Sequence, residues 1–302
     1  MFNNKQDKFI LTPVLNILEE TRNACYGIGN GIETQSLCEY VMQTTFLKMT
    51  GASEQKLKCI CWEMATNDYA YRYHYLKKNY GECSSYEDKC SVYSDLLKEI
   101  KKNNPEYNIE TLFEDIDLTS KLPELIQKKI RKAQKNQEGK KKRKLTDLEI
   151  ENMTKGMAAY YKKRGLCDEE KAACQRTVFF ESIEQQVCGV VNDSLISSWN
   201  QHDYATYIRL WNSLSELSFA HGDLLLCKEL QNLYSDRVYL HRNRCAHNLT
   251  SYQDNLPTLK TLLAEDYVYD NYFFYFSILI LLDEIFMRLY KIYKEIINHA
   301  TE

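Results

Sequence analysis

The chain has 302 residues, 44% of them hydrophobic and 27% charged, with a formal net charge of -3. That balance excludes wholesale disorder, and the length suits two domains of ordinary size. Only 4 Pro and 10 Gly occur, too few for the many tight turns of an all-β protein of this size.

The elements are therefore expected to be helices. Leu11 to Cys25 places Val14, Leu15, Leu18 and Cys25 near one face. Gly27, Gly29 and Gly31 follow, in a run without the Gly-Lys-Ser/Thr of a phosphate loop, so an interhelical loop is expected. Ser36-Leu37-Cys38-Glu39 reads as a capping box opening a helix through Leu47. Ser53 is expected to cap a second helix running to Gly81, and Ser84-Ser85-Tyr86-Glu87 a third running to Ile100. In the second half, helices are expected over Thr146 to Gly165, Asp168 to Val191, Asp203 to Phe219, Asp223 to Leu240, a short stretch from Pro257, and Asn271 to Ile297. No alternating segment of strand length competes with these. The expected fold is all-α, with an antiparallel helical bundle in the C-terminal half preceded by a second helical domain.

Charge is distributed unevenly. Lys128 to Lys144 holds ten bases and one acid, Glu138, so this segment carries +9 and the remainder -12. The stretch 136–146, which contains Lys140, Lys141, Lys142, Arg143 and Lys144, is expected to be a linker or exposed loop between domains 1–135 and 147–302. Such a cluster either contacts RNA phosphates or is simply a solvated connection. It has no interleaved aromatic residues. The segment Tyr69-Ala70-Tyr71-Arg72-Tyr73-His74-Tyr75 does interleave rings with bases, and partly buried packing is its default reading, with RNA stacking the alternative.

Compartment and membrane follow from local runs. The N-terminal residues form no secretory signal. The most apolar stretch, Tyr272 to Leu282, is shorter than the roughly 18–20 residues that a span requires, so it is expected as a buried core helix with no membrane partner. Eleven scattered Cys suit free thiols in a reducing cytoplasm. Cys59, Cys61, His74, Cys83 and Cys90 lack the usual zinc spacing, and no metal or other cofactor is expected.

The segment that carries chemistry is Leu240-His241-Arg242-Asn243-Arg244-Cys245-Ala246-His247-Asn248. It contains Arg-x4-His with Asn directly after the arginine. Chance supplies about 0.2 bare Arg-x4-His matches in a chain of this composition, and about 0.015 with the Asn requirement. Histidine exchanges protons near neutral pH, and arginine holds phosphate oxygens in a planar fork without ever deprotonating. Asn243 and His247 are four apart and share a helix face, so Asn243 can orient the imidazole or hold a phosphate. Arg242 lies about 140° around the helix from His247 and about 7.5 Å along it. A two-fold dimer would supply two such segments to one cleft. A plain structural reading stands beside this one: cations and His247 complementing a helix C-terminus, with Asn248 as its cap. His241 is expected as a partly exposed neighbour that could assist, Arg244 as a second cation, and Asp236 as a candidate ion-pair partner for Arg242.

On Arg242, Asn243 and His247 the region 147–302 resembles the HEPN superfamily, whose hallmark is Arg-polar-x3-5-His on a long helix of a small bundle. Ala246 and Asn248 are similar to a common bacterial variant. The resemblance implies a metal-independent endoribonuclease acting on RNA as a homodimer. It also implies a setting in toxin–antitoxin, abortive-infection or CRISPR-linked antiviral defence, with an antitoxin or activating partner. Some members keep the fold without the nuclease and only bind.

Overall fold

The computed structural model describes residues 5–77, 83–119, 122–141, 144–247 and 265–301. Helices dominate: α1 (Lys5–Ile10), α2 (Leu15–Ala24), α3 (Gln35–Asn67), α4 (Tyr69–Lys77), α5 (Tyr86–Asn103), α6 (Leu122–Lys141), α7 (Asp147–Arg164), α8 (Asp168–Val191), α9 (Leu195–Trp199), α10 (Gln201–Leu210), α11 (Lys228–Asn232), α12 (Leu240–His247) and α13 (Tyr272–Thr301). A small antiparallel hairpin, β1 (Phe219–His221) with β2 (Leu224–Leu226), pairs Phe219 with Leu226 and His221 with Leu224. The chain forms two compact units, residues 1–109 with 180–302, and residues 110–179. The stretch 136–146, expected as a linker or exposed loop, lies in the second unit, and its residues 136–141 continue α6.

The first unit draws its core from both ends of the chain. Helix α13 packs on α3 and α5. Phe274, Ile278, Leu281, Leu282, Ile285 and Leu289 on α13 are almost fully buried, as are Phe46, Met49, Ile60 and Met64 on α3 and Val92, Tyr93, Leu96 and Ile100 on α5. Each such side chain contributes on the order of 1.5–3 kcal/mol through burial. Polar groups tie the same elements together. Asp283 of α13 accepts from Lys56 Nζ of α3 at 2.6 Å and from the Val14 amide at 2.9 Å. Lys294 reaches Glu63 at 2.6 Å and Asp7 at 3.4 Å. The stretch Tyr272–Leu282 is this core helix, and no helix among the described residues is long and apolar enough to cross a membrane.

Several local expectations change. Helix α3 is continuous through Gly51 and Ser53, so Ser53 is a buried mid-helix residue and caps nothing. Gly51 is tolerated there because Phe46, Met49 and Leu57 on either side bury the same helix against the core. The chain breaks instead at Asp68, whose extended backbone separates α3 from α4. Helix α5 is capped by Ser85, whose hydroxyl accepts from the Asp88 amide, one residue beyond Ser84. The Thr146–Glu149 capping box forms as read, and Gly165 ends α7. The region expected as two helices around 219–224 contains the hairpin. Its two-residue Gly222-Asp223 loop uses the positive φ of Gly222, +54°. The hairpin docks on α5, where the Tyr86 hydroxyl exchanges bonds with the Leu226 backbone and the Tyr93 hydroxyl donates to the Gly222 carbonyl. Asn271 caps α13 by accepting from the Phe273 and Phe274 amides. The short helix expected from Pro257 lies outside the described residues.

The second unit gathers α6, α7 and the first half of α8. Lys129 and Tyr161 converge on Glu170, at 2.7 and 3.1 Å. The Lys129 contact holds Glu170 down at about 2. Phe113 and Phe179 meet at 4.7 Å, and Arg176 pairs with Glu110.

Candidate functional site

The Arg-x4-His segment occupies α12, immediately after a π-helical stretch, Leu233–Tyr239. The wider π turn seats Tyr234 and Val238 in the core and hands the chain to α12 with an altered facing. Arg242, Asn243 and His247 therefore share one helix of eight residues, with His247 as its last residue. The side chain of His247, and Asn248 altogether, lie outside what the structure describes.

Arg242 is held on two sides. Its guanidinium donates to Asn243 Oδ1 at 3.1 Å and to Glu54 Oε2 of α3 at 3.1 Å. The pair is partly buried, with 21% of the Arg242 side chain and 13% of Glu54 exposed. Asn243 is thus already engaged with the arginine of its own motif. Glu54 is 188 positions away, so no local pattern announces it. Asp236, the acid expected beside Arg242, instead lines a cavity of about 360 Å³ with Arg237 and Tyr269. Arg237 in turn pairs with Asp270 at 3.6 Å.

His241 is half-buried among aromatic rings. Its ring packs within 5.1–5.2 Å of Phe46, Tyr272 and Tyr275, and Nε2 lies 3.1 Å from the Tyr272 hydroxyl. Burial, aided by Arg244, pulls its pKa down to about 4, so the ring is neutral at physiological pH. Cys245 Sγ sits 3.4 Å from the same Nε2, and burial pushes that thiol up. Arg244 is half-buried, and its Nε has no hydrogen-bond partner among the described residues.

A buried lysine adjoins the Arg242–Glu54 pair. Lys89 of α5 is 1% exposed, donates to the Cys83 carbonyl at 2.8 Å and lies 5.3 Å from the Tyr234 ring centre. Burial lowers its pKa to about 8, against the raising effect of Glu54 and with further lowering by Arg242. Tyr234, from the π turn, donates to the Ser84 carbonyl at 2.6 Å and is pushed well up by burial. The candidate site thus rests on a charged, desolvated layer of Glu54, Lys89 and Tyr234, none of which the motif itself reveals.

The other expected contacts are dispersed. Lys140 and Lys144 are exposed, Lys141 ends α6, and Lys142 and Arg143 lie outside the described residues. Cys61 and Cys83 are buried and Cys59 and Cys90 half-buried; among the described residues no three His, Cys, Asp or Glu side chains gather as a metal site. Burial raises Cys83 to about 11, which keeps it a thiol.

No protein-family model matches the chain, and no curated protein or solved structure matches it.

Proposed function

We propose that the chain is a metal-independent endoribonuclease of HEPN type, acting as a homodimer. The observation that carries this reading is the coincidence of Arg242, Asn243 and His247 on one short helix, with the guanidinium already oriented by Asn243 and Glu54. The chemistry is transesterification. The ribose 2′-oxygen attacks phosphorus as the P–O5′ bond breaks. His247 moves a proton between the nucleophile, solvent and the leaving oxygen. Arg242, with Arg244 as a second cation, carries the charge developing on the phosphorane. The products are a 2′,3′-cyclic phosphate and a 5′-hydroxyl. Arg242 and His247 lie on different sides of the helix, by about 140°, so a two-fold partner completes the site. RNA turnover of this kind fits a cytoplasmic role in defence or toxin–antitoxin control, with an antitoxin or activating partner restraining it.

One observation favours a second reading, a non-catalytic helical module that binds a partner or nucleic acid. Glu54 already occupies Arg242 with a carboxylate, as in a structural ion pair. Incubation of RNA with the purified protein in EDTA separates the two. The nuclease reading expects cleavage by the wild type and its loss in His247→Ala. Full activity in His247→Ala, or loss of wild-type activity on adding EDTA, rejects it.

A further inference from the structure

We propose that the outer face of α4 is a stacking site for single-stranded RNA. This inference concerns binding alone and does not require that α12 cleave. Helix α4 reads Tyr-Ala-Tyr-Arg-Tyr-His-Tyr-Leu-Lys from Tyr69 to Lys77, with two basic side chains, one histidine and no acid. Its tyrosines divide by face. Tyr71 is buried at 8% exposure and stacks on half-buried Tyr75 at 5.9 Å, which fastens the inner side. Tyr69 is 81% exposed and Tyr73 59%. These two are a helical turn apart, about 6 Å along the axis, so each can carry a base of its own.

Each exposed ring carries a cation. The Arg72 guanidinium sits 4.8 Å from the Tyr69 ring centre, pinned there by an Nε bond to the Ala65 carbonyl at 2.7 Å. Lys77 Nζ lies 4.1 Å from the Tyr73 ring centre and donates to its hydroxyl. A tyrosine ring left in water with a cation beside it offers one π face and one charge, the pair of groups that a base and its phosphate meet. A lipid surface is the poorer match, because Leu76 is the sole large aliphatic side chain exposed on this nine-residue helix.

Helix α3 connects this face to α12. Ala65, which anchors Arg72, follows Glu54, which holds Arg242, by eleven residues. Eleven residues advance about 16 Å and return to within about 20° of the same side of α3. Between them Cys61 and Ala65 are buried, so α3 links the two places as a shared rigid element and not as an exposed path.

The test is fluorescence anisotropy with a labelled oligouridine of about 12 nucleotides, in EDTA, on full-length His247→Ala protein so that the probe survives. Tyr69→Ala and Tyr73→Ala should each weaken binding at least fivefold, as loss of roughly 1 kcal/mol or more of stacking per base requires. Tyr73→Phe should bind as the parent does, and Lys77→Ala should flatten the salt dependence by about 0.7 in log–log slope. Tyr26→Ala, at an equally exposed tyrosine (93%), should change nothing. Because Tyr69 and Tyr73 are exposed, their removal leaves the fold intact, which circular dichroism checks. Unchanged binding in folded Tyr73→Ala overturns the proposal. So does equal affinity for a duplex, or loss of binding to anionic phosphatidylserine vesicles without any loss for RNA.

Discussion

Lys89→Met tests the electrostatic layer beneath the candidate site. The lysine is 1% exposed, and its pKa falls from an ordinary 10.5 to about 8. A base with a lowered folded pKa binds its proton less tightly in the folded than in the unfolded chain. Its cost to stability is therefore fully present below about pH 8 and disappears as pH rises past 10.5. A lowering of this size corresponds to about 3 kcal/mol, of which about 2 kcal/mol is recovered between roughly pH 7 and pH 9.5. Methionine keeps the length of the side chain and removes the charge. It also orphans the Cys83 carbonyl, which costs about 1–3 kcal/mol. The variant should thus be about 0–2 kcal/mol more stable than wild type near neutral pH, and should lose about 2 kcal/mol relative to wild type as pH rises to about 9.5. Urea unfolding of both proteins at several pH values measures the difference directly, with other titrating groups cancelling. Parallel pH profiles for wild type and Lys89→Met would show that Lys89 does not titrate with a lowered pKa in the folded chain.

Two further outcomes follow from the same structure. His241 has its pKa lowered to about 4 from 6.5, so stability should fall as the pH drops from 6.5 toward 4, by up to about 3 kcal/mol, and then level off. An NMR titration should place the imidazole midpoint near the lower value, and His241→Phe should abolish that part of the acid sensitivity; a midpoint near 6.5 contradicts the assignment. Asp283→Ala strands the buried Lys56 ammonium and the Val14 amide, and should cost about 3–5 kcal/mol in a thermal or urea melt. A loss well under 1 kcal/mol would show that the pair is not holding α13 to α3.

How far the sequence discloses this molecule depends on the range of the forces involved. Signals that act within a few residues were legible: the Thr146–Glu149 capping box, the Gly165 terminus of α7, and the apolar periodicity of α13. The hairpin at 219–226 was hidden by a leucine run that fits a helix equally well, although Gly222-Asp223 between Phe219-Ala220-His221 and three leucines is a hairpin signal. Helix α3 overrides Gly51 and Ser53 because core burial on both sides outweighs a local propensity of about 1 kcal/mol. The association of α13 with α3 and α5 joins segments from distant parts of the chain, and hydrophobic periodicity says that a face is buried without saying against what. For the same reason the motif disclosed Arg242 and Asn243 but not Glu54 or Lys89, which reach the site from α3 and α5.

Metal-free RNA cleavage by α12, the proposed activity, is measured most directly by mass analysis of the ends left on a defined RNA incubated in EDTA with wild-type and His247→Ala protein. Metal-free cleavage at α12 requires 2′,3′-cyclic phosphate and 5′-hydroxyl ends from the wild type and intact RNA from the variant. Intact RNA from both, or 5′-phosphate ends, would contradict it.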